Sequence, residues 1–163
     1  MKSYYSVRLV ASVVAANLLF LSPRLATAQW SLAGPDTQRN AIKLVQTQVG
    51  WLQNGTMTAS SYTYSNQGYY KLERDFQGLR DAYSAFKQKL SSQQVAYGAN
   101  GLAQLDAGLD IVQEAFANYQ EDLNAGRPPA MAMGNLCRVL NQGSAIWLQE
   151  FNTICRQLYV GAW

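Results

Sequence analysis

The chain has 163 residues, of which 13 are basic, 10 are acidic and none is histidine. The missing histidine removes the commonest general base and metal ligand, and with them Ser-His and Cys-His nucleophile pairs and histidine-ligated haem. Two cysteines are too few for a four-thiolate metal site. These exclusions predict a protein that is not an enzyme and that carries no metal or cofactor.

Residues 1–28 have the three-part pattern of a cleaved secretory signal peptide. Basic residues precede an apolar run of 13 residues, Leu9–Leu21, and the small residues Ala26 and Ala28 come just before Gln29. The run is short for a membrane span, which needs about 20 apolar residues. An uncleaved anchor is the competing interpretation. We expect cleavage after Ala28, which leaves a single domain over 29–163.

Cleavage changes the charge of the predicted mature domain. It removes Lys2, Arg8 and Arg24 and no acidic residue, so that ten basic side chains remain against ten acidic ones. A neutral domain without a long basic run is not expected to bind nucleic acid. We expect an exported protein of the periplasm, a thylakoid-type lumen or the extracellular space, without a stable membrane span after signal cleavage.

Four segments of the mature domain space their apolar residues alternately by three and four, which is the pattern of helices that bury one face. The first helix is predicted over about 36–53, with Asp36 as N-cap and Asn54-Gly55 as a C-terminal stop. The second helix has its apolar seam from Tyr69 to Leu90, and charged residues fill its other faces.

The third helix is predicted to start between 93 and 101 and to end at Gly126, ahead of Pro128 and Pro129. The fourth starts near Pro129, and its spacing slips at 141–144. This segment is therefore either one helix with a stutter or two helices broken near 141–144. Four such segments joined mostly by short turns predict an all-α fold, an antiparallel up-down four-helix bundle.

The connection between the first two helices, predicted over 54–68, contains the sequence SSYTYSNQGYY from Ser60 to Tyr70. Loops of this length are often functional, and tyrosine with small polar neighbours is typical of protein-binding loops. Tyr62 and Tyr64 are therefore candidate partner-binding residues. The alternatives are that both side chains cover one end of the bundle, or that the loop is disordered. Asn54 also begins a possible glycosylation motif.

Cys137 and Cys155 form the candidate disulfide, because exported proteins usually pair their cysteines. They are 18 residues apart, however, so on one continuous helix they lie about 27 Å from each other. An internal bond needs about 7 Å or less between the α-carbons and hence a break in the fourth helix. Two copies crossing antiparallel near Ile146 would form two symmetric bridges, and two buried free thiols are the third possibility.

Two other groups of residues are candidates for chemistry. The carboxylates of Asp106, Asp110 and Glu114 form one stripe on the third helix, away from its apolar seam, and a solvated face is expected. Met131 and Met133 are favoured as packing residues rather than ligands.

We therefore expect a non-catalytic secreted or periplasmic bundle that binds another envelope or secreted protein or acts as a structural component of an assembly. If two copies were joined by the symmetric bridges between Cys137 and Cys155, the protein would be a homodimer. The alternative is a carrier bundle that holds an apolar small molecule or pigment between its helices, among the many aromatic residues of the seams. Both interpretations differ from an enzyme, for which the sequence supplies neither an activated nucleophile nor a base.

The signal-peptide interpretation predicts the mass of the exported protein. The mature chain should begin at Gln29, as glutamine or pyroglutamate, because the small residues before it suit signal peptidase. Intact mass spectrometry of protein from its native compartment measures this directly. A mature chain that keeps residues 1–28 would instead be a membrane-anchored protein.

Overall fold

The computed structural model describes residues 35–59 and 66–158. These residues form four helices and no strand: α1 (Pro35–Ala59), α2 (Asn66–Lys87), α3 (Ser92–Asn124) and α4 (Pro129–Gln157). Their contacts are those of a four-helix bundle, which confirms the predicted fold class. None of the four helices combines the length and the hydropathy needed to cross a membrane. The predicted signal peptide lies outside the described residues.

The core consists of the apolar seams that the three-four spacing predicts. Each seam faces the axis of the bundle, and burying large apolar side chains there contributes on the order of 1.5–3 kcal/mol per residue. The largest fully buried side chains are Leu52, Val45 and Val49 of α1, Leu72, Leu79, Tyr83 and Phe86 of α2, Leu105 of α3, and Leu136, Leu140 and Phe151 of α4.

α1 is longer than predicted at both ends. It begins at Pro35, so that Asp36 lies in the first turn rather than at the N-cap. It also continues through Asn54-Gly55 to Ala59, and the predicted stop is wrong. A Cβ atom on Gly55 would lie 2.8 Å from the Asp75 carboxylate oxygen and 3.2 Å from the Leu72 side chain. Glycine stands there because α2 packs closely against α1, and not because the helix ends.

The same cause explains the irregular spacing in α4, which is one unbroken helix from Pro129 to Gln157. A Cβ atom on Gly143 would lie 2.9 Å from a methyl carbon of Val112, so glycine allows α3 to approach. Ser144 is buried, and its hydroxyl donates a hydrogen bond to the backbone carbonyl of Asn141. The stretch 141–144 is therefore a stutter within one helix.

Both ends of α3 are defined by local hydrogen bonds. Ser91 is the N-cap in a capping box: its side chain accepts from the backbone N–H of Gln94, and the Gln94 side chain accepts from the backbone N–H of Ser91. At the other end Gly126 has the left-handed conformation predicted for it, with φ of 76°. α3 therefore begins at Ser92, just before the predicted interval.

Gln94 also joins three parts of the chain at one end of the bundle. Its side-chain oxygen accepts a hydrogen bond of 3.1 Å from Gln38 of α1, and its nitrogen donates to the backbone carbonyl of Leu158. Gln38 donates in turn to the carbonyl of Lys89, in the turn between α2 and α3. We call Gln38, Lys89, Ser91, Gln94 and Leu158 the glutamine network, and the end that holds it the glutamine end.

The glutamine network predicts a large effect of one substitution. Gln94→Leu removes the hydrogen bond that the Gln94 side chain accepts from the Ser91 N–H and leaves buried groups of Gln38 and Leu158 without this partner, so the free energy of unfolding should fall by about 2–4 kcal/mol. The matched control is Gln93→Leu, since Gln93 is exposed in the same turn, and it should change stability by less than about 0.5 kcal/mol. Urea unfolding followed by circular dichroism measures both. Equal effects of the two substitutions would contradict a structural role of the network.

Candidate functional site

The end of the bundle opposite the glutamine network carries a cluster of aromatic side chains. At this end α1 and α3 terminate and α2 and α4 begin, because neighbouring helices run in opposite directions. The cluster consists of Tyr69 and Tyr70 from the first turns of α2, and of Phe116 and Tyr119 from the last part of α3. We call these four residues the tyrosine cluster and this end of the bundle the tyrosine end.

Tyr69 is the centre of the tyrosine cluster. Its ring stacks on Tyr119 at a centroid distance of 5.1 Å and meets the edges of Phe116 and Tyr70, both at 5.7 Å. Burial raises the pKa of the Tyr69 and Tyr119 hydroxyls, so both remain neutral at physiological pH. A neutral phenol is a poor nucleophile. A tyrosine ring that is neutral and well packed is better suited to contact with another molecule.

Tyr70 is the member of the cluster that points to solvent, with 59% of its surface exposed. The ring of Tyr69 supports the ring of Tyr70 from one side through the edge-to-face contact. A tyrosine that is exposed and yet supported by a neighbouring ring loses little conformational entropy when it binds. Tyr70 is therefore the described residue best placed for contact with a partner.

A groove of about 310 Å³ lies between α3 and α4 at the same end. Tyr119 and Leu136 line it together with polar side chains, among them Arg138. Asp122 and Arg127 also line it and form a salt bridge of 3.0 Å. Apolar residues beside paired charges are the composition of a protein-binding surface rather than of a closed ligand cavity.

The connection that carries Tyr62 and Tyr64 lies outside the described residues, so their partner-binding role stays a prediction. The connection is shorter than predicted, since only 60–65 separate α1 from α2. The helix ends that flank it, Ala59 and Asn66, are at the tyrosine end of the bundle, where the tyrosine cluster lies. The possible glycosylation motif lies within α1, and the Thr56 hydroxyl in it is buried and donates to the carbonyl of Gln53.

The acidic stripe of α3 is used in part for contact with α2. The Asp106 carboxylate lies 2.6 Å from the Lys87 ammonium, and the Asp110 carboxylate lies 3.8 Å from the Arg80 guanidinium. Glu114 is exposed. Among the residues that the structure describes, no group of three acidic or cysteine side chains is arranged to hold a metal ion.

An internal disulfide between Cys137 and Cys155 is incompatible with the unbroken α4. The two residues are 18 positions apart on one helix, a separation of about 27 Å, where a disulfide needs about 7 Å or less. Both thiols are free and buried in the core. Cys155 has no exposed surface and Cys137 has 7%, so a bridge to a second copy would need the core to open.

Burial also determines the chemistry of the two thiols. It raises the pKa of Cys137 above its usual range and that of Cys155 to about 12. The reactive species is the thiolate, so both side chains are inert near neutral pH as long as the protein is folded. They act as small apolar residues of the core.

No protein-family model matches the chain, and no similar curated protein or solved structure was found.

The free thiols predict a simple chemical result. The purified protein should run as a monomer on non-reducing gels, with about two thiols per chain reacting in denaturant and almost none reacting in the folded state at pH 7–8. Ellman's reagent with and without guanidinium chloride measures this. A monomer without reactive thiols in denaturant would require a broken α4, and a dimer lost on reduction would require bridges between copies.

Proposed function

We propose that the protein is a non-catalytic, exported helical bundle that binds another envelope or secreted protein through its tyrosine end. The observation that carries the proposal is Tyr70, exposed to solvent and supported by Tyr69 within a cluster of aromatic rings. Aromatic residues that present a large, rigid surface dominate the energy of protein interfaces.

Three features support this role. Ala59 and Asn66, the helix ends between which the chain carries Tyr62 and Tyr64, are at the same end as the tyrosine cluster. The groove beside Tyr119 adds apolar surface and paired charges. The glutamine network holds the opposite end of the bundle together. Surface residues at the tyrosine end can therefore differ without loss of the fold.

The packing of the core favours this proposal over a carrier of an apolar ligand. Tyr83, Phe86, Trp147 and Phe151, the rings that could enclose such a ligand, contact each other at centroid distances of 5.0–6.2 Å. The Trp147 indole also donates a hydrogen bond of 2.8 Å to the carbonyl of Leu105. Absorbance and native mass spectrometry of the purified protein separate the two roles, because a carrier would copurify with its ligand.

The proposal predicts that Tyr70→Ala weakens partner binding by at least about ten-fold, which is about 1.4 kcal/mol, with little change in the melting temperature. The tagged mature protein recovers its partner from the native envelope or secretion fraction, and titration of that partner gives the affinity. Tyr62→Ala and Tyr64→Ala should act in the same direction. Tyr69 is unsuitable as a binding probe because its removal also deletes three ring contacts.

The matched control is Tyr97→Ala. Tyr97 is 76% exposed near the start of α3, towards the glutamine end, so its loss should leave binding unchanged. Equal loss of binding for Tyr97→Ala and Tyr70→Ala would contradict a site at the tyrosine end. Unchanged binding for Tyr70→Ala, Tyr62→Ala and Tyr64→Ala would also contradict the proposed site.

A further inference from the structure

The four sides of the bundle differ in how closely the helices approach. The backbones of α1 and α2, of α3 and α4, and of α1 and α4 lie close together along their contacts, whereas those of α2 and α3 come close at few positions. In two of the close pairs, glycines lie where a Cβ atom would be 2.6–3.5 Å from the other helix. They are Gly55, Gly68 and Gly78 in the α1–α2 pair, and Gly98, Gly101, Gly108 and Gly143 in the α3–α4 pair.

Long side chains bridge the wider seam between α2 and α3. Tyr83 donates a hydrogen bond of 3.2 Å to the carbonyl of Leu102, and the Lys87 ammonium, paired with Asp106, also lies 4.8 Å from the Tyr83 ring. Within the described residues, a second ion pair across the seam joins Arg80 to Asp110. Exposed ion pairs contribute little to stability, and salt weakens them.

The two ends of the α2–α3 seam are held differently. At the glutamine end a short turn joins α2 directly to α3, and the network ties this turn to α1 and to the end of α4. At the tyrosine end the chain joins α1 to α2 and α3 to α4, so it does not join α2 to α3 there. There the described contacts across the seam include the ring contacts of Tyr69 with Phe116 and Tyr119 and of Phe76 with Phe116, and a side-chain hydrogen bond between Tyr69 and Gln120.

We infer that the bundle opens along the α2–α3 seam from the tyrosine end. The α1–α2 hairpin and the α3–α4 hairpin move apart as two bodies, because glycine packing makes each of them compact. The pivot of this movement is the glutamine end, where the short turn and the glutamine network hold the two hairpins together. Opening separates Tyr69 from Tyr119 and exposes the apolar interior beside Phe116, which an apolar side chain of a bound protein can fill.

This movement does not depend on the protein-binding role proposed above. It follows from the unequal packing of the four sides, so the isolated protein should show it. The test must therefore distinguish local opening from global unfolding, and the buried native thiol of Cys155 provides an internal reference because it reacts only when the core is lost.

The first experiment measures the reaction of introduced thiols under native conditions. In Leu72→Cys, a fully buried position of α2 near the tyrosine end that has no part in the ring contacts across the seam, the new thiol should react at least about ten-fold faster than Cys155 of the same chain. The matched control is Leu105→Cys, a fully buried position of α3 closer to the glutamine end, where the new thiol should react as slowly as Cys155. Peptide mass spectrometry gives the rate at each position. Equal rates at 72 and 155 would overturn the proposal.

The second experiment leaves the residues that close the seam unchanged. Spin labels at Arg74→Cys and Ala117→Cys span the seam towards the tyrosine end, and labels at Ser84→Cys and Ala103→Cys span it nearer the glutamine end, with the buried Cys137 and Cys155 changed to alanine in both proteins. These four labelled positions are exposed. The first pair should give a second, longer distance, and the other pair a single distance. One narrow distance for both pairs would overturn the proposal.

Discussion

Unequal spacing of the four helices is the constraint on which the rest of the structure depends. Glycines bring the backbones of α1 and α2, and of α3 and α4, into close contact, so the space that remains lies between α2 and α3. Large side chains must fill that space, because an unfilled cavity in a core costs stability in proportion to its volume. The aromatic residues of the α2 and α3 seams are therefore a consequence of the glycines on the close sides.

The two ends of the bundle are closed by different kinds of contact, polar at one end and aromatic at the other. At the glutamine end, backbone carbonyls left at helix termini are satisfied by two buried amide side chains, which fixes the relative positions of three helices. The tyrosine end is closed by rings, whose contacts are less directional than hydrogen bonds. A surface of supported aromatic rings can adapt to another molecule, and this is why the tyrosine end is the candidate site.

The continuity of α4 determines the chemistry of the cysteines. The predicted export signal and the two cysteines together favour a disulfide, whereas the helix keeps the two residues about five turns apart. Both side chains face the core, where burial suppresses the thiolate. Two buried thiols therefore contribute apolar packing to the bundle.

The sequence by itself determined the fold class and most of the core, because the three-four spacing of apolar residues is a local property of each helix. It also contained the start of α3, since Ser91 and Gln94 form a recognisable capping box that the prediction overlooked. Only the tertiary structure decided whether the glycines end a helix or allow close packing, and which aromatic rings form the tyrosine cluster. Gly55 and Gly143 resemble helix breaks in the sequence, and only the position of a neighbouring helix shows that they are close contacts. Tyr69 is a seam residue in the sequence, and its stacking on Tyr119 depends on the distance between α2 and α3, which no local pattern encodes.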